Sequence, residues 1–228
     1  TCMAAERVLV AAPVYDEFVA HVERITAALT VGTGSDANVG PVARPQQLDV
    51  VEPRLAAAIA AGAKVRIGGR RVSGTAGLFE PTVVTDVDPR SELWREESFA
   101  PVMAIARVAD DAQAVAVANH SEFGLNASVH TRDRARARAI ASQLVTGGVN
   151  INDAMTGAAL PALPFGGVRG SGYGRLQGPE GLRELSQVTS VVEPVSLRLP
   201  SAVGMMFTGR RPKRSTVERV IRAVYGRG

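Results

Sequence analysis

Cysteine is nearly absent: the 228 residues contain one, Cys2. A single thiol excludes an internal disulfide framework, so a reducing, cytoplasmic setting is the default. No apolar run approaches the ~20 residues of a membrane-spanning helix. No signal peptide precedes the first strand-like segment, and there is no internal repeat or low-complexity tract. Phosphate-cradling loops are missing as well. Neither GxxxxGK[ST] nor GxGxxG in its strand–loop–helix context occurs. No metal-ligand set stands out.

What is present describes a globular chain. The apolar share is 46%, the charged share 21%, and the mean hydropathy lies near zero. The formal charge of +4 is unevenly placed. Arg210, Arg211, Lys213, Arg214, Arg219, Arg222 and Arg227 face one acid, Glu218, so the last segment carries +6 and the rest about −2. Basicity therefore belongs to the tail and not to a nucleic-acid-binding face. Thr1 opens the chain instead of Met, so the expectation is a fragment of a longer protein or a chain whose start is missing.

Taken in order, Val8–Val10 reads as a strand. Pro13 to Leu29 reads as a helix with a buried stripe of Val14, Phe18, Val22, Ile25 and Leu29. Residues 32–45 form a loop. A second helix spans about Gln46 to Ala61, with Val50, Leu55 and Ile59 inward, Pro53 set to kink it and Gly62 to cap it. Lys64–Ile67 alternates like an edge strand, and Phe79–Val84 is a second extended piece. Val102–Val108 is mostly apolar and reads as a central strand. Asp110–Asn119 is a helix capped by Asp110, with Ala114, Val117 and Ala118 buried. Strands at Ala127–His130 and Val149–Asn152 flank a helix over Arg132–Leu144 capped by Thr131. Strands alternating with crossovers of ten or more residues predict an α/β fold, a largely parallel sheet flanked by helices.

Cys2 opens a short turn, where free backbone N–H groups favour a thiolate; the competing reading is a small buried or terminal residue. The glycine-rich run Leu163 to Arg175 reads, from composition, as a close backbone crossing over a core.

Three separated motifs go further. Cys2 is followed five residues later by Arg7 and a strand. Glu96-Glu97-Ser98-Phe99-Ala100-Pro101-Val102 follows. Then come Pro164-Phe165-Gly166-Gly167-Val168-Arg169-Gly170-Ser171-Gly172-Tyr173-Gly174 and Gly178-x-x-Gly181-Leu182. In this order over residues 1–193, and with Phe123-Gly124-Leu125 between them, they resemble the C-terminal half of the NAD(P)-dependent aldehyde dehydrogenase superfamily. Ala100 stands where the family has Gly, and Arg169 where it has Lys. Ala100 adds a Cβ at a close turn, which predicts a small shift of Glu97; Arg169 changes the geometry of the charge.

The resemblance implies roles. Cys2 is the nucleophile that attacks an aldehyde, passing through a thiohemiacetal and a thioester. Glu97 binds the nicotinamide-ribose hydroxyls of NAD or NADP, and Phe99 packs near the nicotinamide. Phe165 lines the aldehyde pocket, with residues 154–163 at its mouth. The competing readings are a solvated turn for Glu96 and Glu97 and plain core for Phe165. In the family, the general base and most of the cofactor site precede the cysteine, so this chain alone is expected to be inactive. His21, His120 and His130 are expected to be structural or exposed. Residues 1–185 are expected to form the catalytic domain. Residues 186–228 are expected to hold an oligomerisation strand, Val188–Val192, and a basic tail with a helix over Ser215–Tyr225. Dimers or tetramers are implied. The tail reads as a solvated terminal helix covering an apolar patch, with contact to an anionic membrane or a neighbouring subunit as the second reading. Two alternatives stay open: a non-catalytic oligomerisation or interaction module of this fold, and a CoA-acylating relative.

Overall fold

The computed structural model describes residues 1–191 and, in the tail, Lys213, Arg214, Ser215, Glu218, Arg219 and Arg222. The chain divides into two units, Thr1–Ser186 and Gln187–Gly228. In the first unit the elements run β1 (Arg7–Ala11), α1 (Tyr15–Ala27), α2 (Leu48–Ala60), β2 (Lys64–Ile67), β3 (Thr82–Thr85), α3 (Glu92–Arg95), β4 (Val102–Val108) and α4 (Asp111–Asn119). Then follow β5 (Phe123–Gly124), β6 (Asn126–Val129), α5 (Arg134–Ala141), β7 (Gly148–Ile151), α6 (Thr156–Ala159), β8 (Val168–Arg169) and α7 (Gly178–Glu184). Among the described residues no helix is long and apolar enough to cross a membrane.

Four strands form the main sheet in the order β1-β4-β3-β2. The β1–β4 and β4–β3 pairings are parallel, and β2 joins antiparallel at the edge. The α/β fold with a mostly parallel sheet is therefore as the sequence predicts, and β4 is central. A second parallel pair, β6 with β7, stands apart from this sheet, and β5 pairs with β8 over two residues. The alternation of side chains along a strand sorts the core onto two faces. Val83 and Ile105 pack with Val10, Tyr15 and Val19 under α1. Val84, Val102 and Ala104 pack with Leu48, Val51, Leu55, Leu93 and Trp94 under α2 and α3.

Both long helices exist, and part of each expected stripe faces inward: Phe18 and Val22 of α1 pack against the core, and Leu55 of α2 is buried. In α1 the buried residues are Tyr15 and Val19, whereas Val14, Ile25 and Leu29 are exposed. A 3₁₀ turn at Ala12–Val14 takes Val14 out of the helix and starts the buried stripe one residue later. In α2 the inward residues are Leu48, Val51, Leu55 and Ala58, and Val50 and Ile59 face out. The helix runs through Pro53. Its end is a Schellman motif: Gly62, at φ +108°, donates to the Ile59 carbonyl at 2.9 Å and Ala63 to that of Ala58 at 2.9 Å. Asp110 caps α4 as predicted, although Ala114, Val117 and Ala118 are only half-buried. The cap of α5 is Asp133, not Thr131. Its carboxylate accepts from Ala135 and Arg136, while Thr131 accepts from Asp133 one turn outside the helix.

Residues 187–191 are irregular, with Val188 and Val191 exposed, and Val192 lies outside the described residues. Of the helix expected over 215–225, Ser215, Glu218, Arg219 and Arg222 are helical and exposed; the other positions lie outside the described residues.

Candidate active site

Parallel pairing decides where the first two motifs meet. Segments that precede two parallel neighbouring strands lie at the same end of the sheet. The Cys2 turn precedes β1 and the Glu96–Pro101 loop precedes β4, with Arg7 opposite Ala104 in the ladder. Cys2 sits exposed in a turn closed by the Ala4 N–H on the Thr1 carbonyl at 3.0 Å. Glu6 then crosses to the loop. Its Oε2 accepts the Ser98 N–H at 2.8 Å and its Oε1 the Phe99 N–H at 3.0 Å.

From the other side, Gln47 donates to the Ser98 carbonyl at 2.8 Å and Arg54 to the Glu97 carbonyl at 3.1 Å. Ser98 is buried beneath these contacts. Phe99 adopts a left-handed conformation, φ +48°, and is 48% exposed. A non-glycine residue holds that conformation only when its surroundings enforce it. Ala100 is not at positive φ; its side chain packs against the core, so the extra methyl sits in an ordinary backbone.

The Glu97 carboxylate accepts no hydrogen bond from any of the described residues. Partial desolvation pushes its carboxyl above the ordinary range, the Glu6 carboxylate adds to the rise, and the Thr1 ammonium opposes it. Arg7 closes the floor. Its guanidinium lies 5.8 Å from the Trp94 ring centre and donates to the Ala118 carbonyl at 3.4 Å. Burial lowers its pKa against the opposing pull of Glu6.

The glycine-rich segment is a backbone crossing, the reading that composition favoured. A Cβ on Gly147 would lie 1.6 Å from the Gly166 carbonyl oxygen, and one on Gly124 2.7 Å from Val168 Cγ2. Phe165, half-buried, is held by reciprocal bonds with Leu176, each 2.7 Å. Arg169 donates from its Nη1 to two carbonyls at the end of α4, Asn119 at 2.7 Å and Ser121 at 2.6 Å. Among the described residues no hydrogen bond or ion pair joins this segment to the Cys2–Glu97 corner. Residues 154–163 are mostly exposed and begin at a turn where Asp153 accepts from Met155 and from the Thr156 N–H and hydroxyl. Those bonds, chiefly the Thr156 N–H, lower the Asp153 pKa. His21 is exposed on α1 beside Arg24 and Glu17, and His120 and His130 are exposed at element ends.

The structure thus brings Cys2, Glu97 and Phe99 to one end of the sheet and holds Phe165 apart from it, in an isolated bridge to Leu176. Glu6, Gln47 and Arg54 were not singled out in the sequence. Their partners are backbone groups 43 to 93 residues away, which no local pattern encodes.

Residues 1–191 match the aldehyde dehydrogenase family. The chain is 41% identical over 193 residues to succinate-semialdehyde dehydrogenase [NADP(+)] 1 of Mycobacterium tuberculosis, covering 84% of this chain and 42% of the relative. It is 39% identical over 186 residues to the non-phosphorylating aspartate-semialdehyde dehydrogenase of Halomonas elongata, covering 80% and 37%. Among solved structures, a Mycobacterium tuberculosis aldehyde dehydrogenase complexed with NAD+ superposes with a TM-score of 0.77 at 38% identity, covering 85% of this chain and 40% of that one. Betaine aldehyde dehydrogenase from Staphylococcus aureus in complex with NAD+ gives 0.76 at 33% identity, covering 81% and 37%. The chain spans less than half the length of the relatives it matches.

Proposed function

This chain belongs to the aldehyde dehydrogenase family, and we propose that it carries the nucleophile and part of the dinucleotide site of an enzyme that oxidises an aldehyde to a carboxylate. The observation that supports this reading best is the Glu6 bridge, which joins the segment after Cys2 to the loop bearing Glu97 and Phe99. The relatives differ in the aldehyde named for each, so aldehyde oxidation is what they share.

The residues present fit a nicotinamide dinucleotide. A carboxylate with no donor among the described residues suits a pair of ribose hydroxyls, and Phe99 nearby is half-exposed. NAD and NADP carry the same nicotinamide ribose, so this half of the site serves either one. When bound, the nicotinamide supplies the hydride acceptor. The Cys2 thiolate attacks the aldehyde carbon, and the Cys2 N–H donates to the developing oxyanion. Loss of hydride from the thiohemiacetal carbon leaves an acyl thioester on Cys2. Water adds to it, the thiolate departs, and the carboxylate is released. Phe165 is assigned to the aldehyde pocket and residues 154–163 to its mouth. We assign the general base to the part of the relatives that this chain does not match. Residues 1–185 are assigned as the catalytic domain, and 186–228 as the oligomerisation strand and basic tail of a dimer or tetramer.

The 228-residue chain, mixed with NAD or NADP and simple aldehydes, is expected to form no reduced cofactor. Joined to an upstream half of the family, it is expected to become active, and Cys2→Ala is expected to abolish that activity. Full activity of the Cys2→Ala variant would remove the nucleophile assignment. Reduced cofactor formed by the isolated chain would show that no upstream half is needed.

A further inference from the structure

We propose that Glu6 is a positioning residue for the dinucleotide loop: its carboxylate fixes the conformation in which Glu97 and Phe99 are presented beside Cys2. This rests on the reading above that those three residues act together.

Three observations carry the inference. First, Glu6 spends both oxygens on consecutive backbone N–H groups, Ser98 at 2.8 Å and Phe99 at 3.0 Å. Adjacent N–H groups converging on one anion are a strong, charge-assisted arrangement. Second, Phe99, whose N–H donates one of these bonds, is the residue at φ +48°. The bond therefore falls where the backbone needs an external hold. Third, the loop's opposite side is tied to α2 and its approach by Gln47 and Arg54, through carbonyls of Ser98 and Glu97. Those ties fix the loop to the helix layer. Among the described residues, the side-chain tie from the loop to the cysteine's own segment is Glu6.

Removing the Glu6 carboxylate leaves the buried Ser98 N–H without its acceptor and frees Phe99 to relax toward negative φ. Both changes turn the peptide units that carry Glu97 and Phe99, and neither touches the sheet beneath.

The inference is tested with Glu6→Ala and Glu6→Gln, in two settings. In the 228-residue chain, amide hydrogen exchange is followed by NMR. Exchange at Ser98 and Phe99 is expected to rise about tenfold or more in Glu6→Ala and by less in Glu6→Gln, which keeps one acceptor oxygen, while Val84 and Ile105 in β3 and β4 keep their protection. In the enzyme joined to its upstream half, Glu6→Ala is expected to raise the dinucleotide KM about tenfold with kcat at saturation changed by less than about threefold, Glu6→Gln falling between. Combined with Glu97→Gln, it is expected to add little beyond either change alone. Wild-type exchange at Ser98 and Phe99 would overturn the proposal. So would a loss of β3 and β4 protection, with activity falling only as the folded fraction falls. If Glu97→Gln raises KM and Glu6→Ala does not, the positioning role fails and the reading of the site stands. If Glu97→Gln leaves KM unmoved, the assignment of Glu97 fails first and takes the proposal with it.

Discussion

Two adjacent glycines, Gly147 and Gly148, should respond oppositely to the same methyl group. A Cβ on Gly147 would lie 1.6 Å from the Gly166 carbonyl oxygen, 2.7 Å from its carbon and 3.1 Å from the Gly167 Cα. Ordinary contact begins at 3.4 Å, so the Gly166 carbonyl must retreat by about 2 Å, and it is backbone with no rotamer to escape into. On Gly148 the nearest atom would be Asn126 Oδ1 at 3.5 Å, an ordinary contact. Neither residue is at positive φ, so backbone conformation does not separate them. Overpacking of this kind costs about 1–3 kcal/mol. For a chain of this size that is a melting-temperature drop of roughly 2–12 °C. Gly147→Ala is therefore expected to melt well below the parent, and Gly148→Ala within about 2 °C of it. The displaced carbonyl adjoins Phe165, so the Phe165–Leu176 bonds should weaken together with the fold, seen as faster exchange at both amides. Equal melting temperatures for the two variants would refute the crossing of Gly147 under Gly166.

Leu48 is fully buried between α2 and the sheet, and Leu48→Ala is expected to cost about 2–5 kcal/mol in urea unfolding. Asp133 receives two N–H groups at 2.8 and 3.0 Å. Asp133→Ala should cost about 1 kcal/mol, and Thr131→Ala only a small part of that; a larger loss at Thr131 would return the cap to it. Arg136 grips Asp111 through two bonds, 2.7 and 2.5 Å, and holds its carboxyl below the ordinary value. A carboxyl depressed on folding contributes stability above its unfolded pKa, and that contribution is lost as pH falls through the folded value. Melting temperature should therefore fall more steeply on the acid side for the parent than for Asp111→Asn; parallel curves would count against the pair.

The sequence was most legible where one property dominated. The mostly apolar Val102–Val108 reads as a central strand, and Gly62 reads as the cap that ends α2. Helix phase was less legible, because bulk is a poor guide when small residues make the contact. In α2, Ala58 is buried and Ile59 is not. In α1 a 3₁₀ turn moved the start. The division of the parallel strands into a four-stranded sheet and a separate pair was not legible either, since spacing alone does not say which strands share a ladder. At the site, Cys2, Glu97, Phe99 and Phe165 came from motif order. Glu6 did not, because a carboxylate binding distant main chain leaves no periodicity and no spacing rule. Val14, Val50 and Ile59 show the same limit from the other side: apolar residues placed inward by pattern stand at the surface.

The β1–β4 ladder also sets a timetable. The Glu6 bridge to Phe99 spans 93 residues of chain. At 5–20 residues per second, a ribosome needs about 5 to 20 seconds to supply that stretch. Throughout that interval Cys2 and Glu6 travel on a nascent chain whose partner loop has not been made. Helices α1 and α2 also find part of their packing late, against Val83 and Ile105 and against Val84 and Val102. The corner at Cys2 waits for β4, so its thiol meets the reductants and electrophiles of its surroundings before the fold has closed around the segment that carries it.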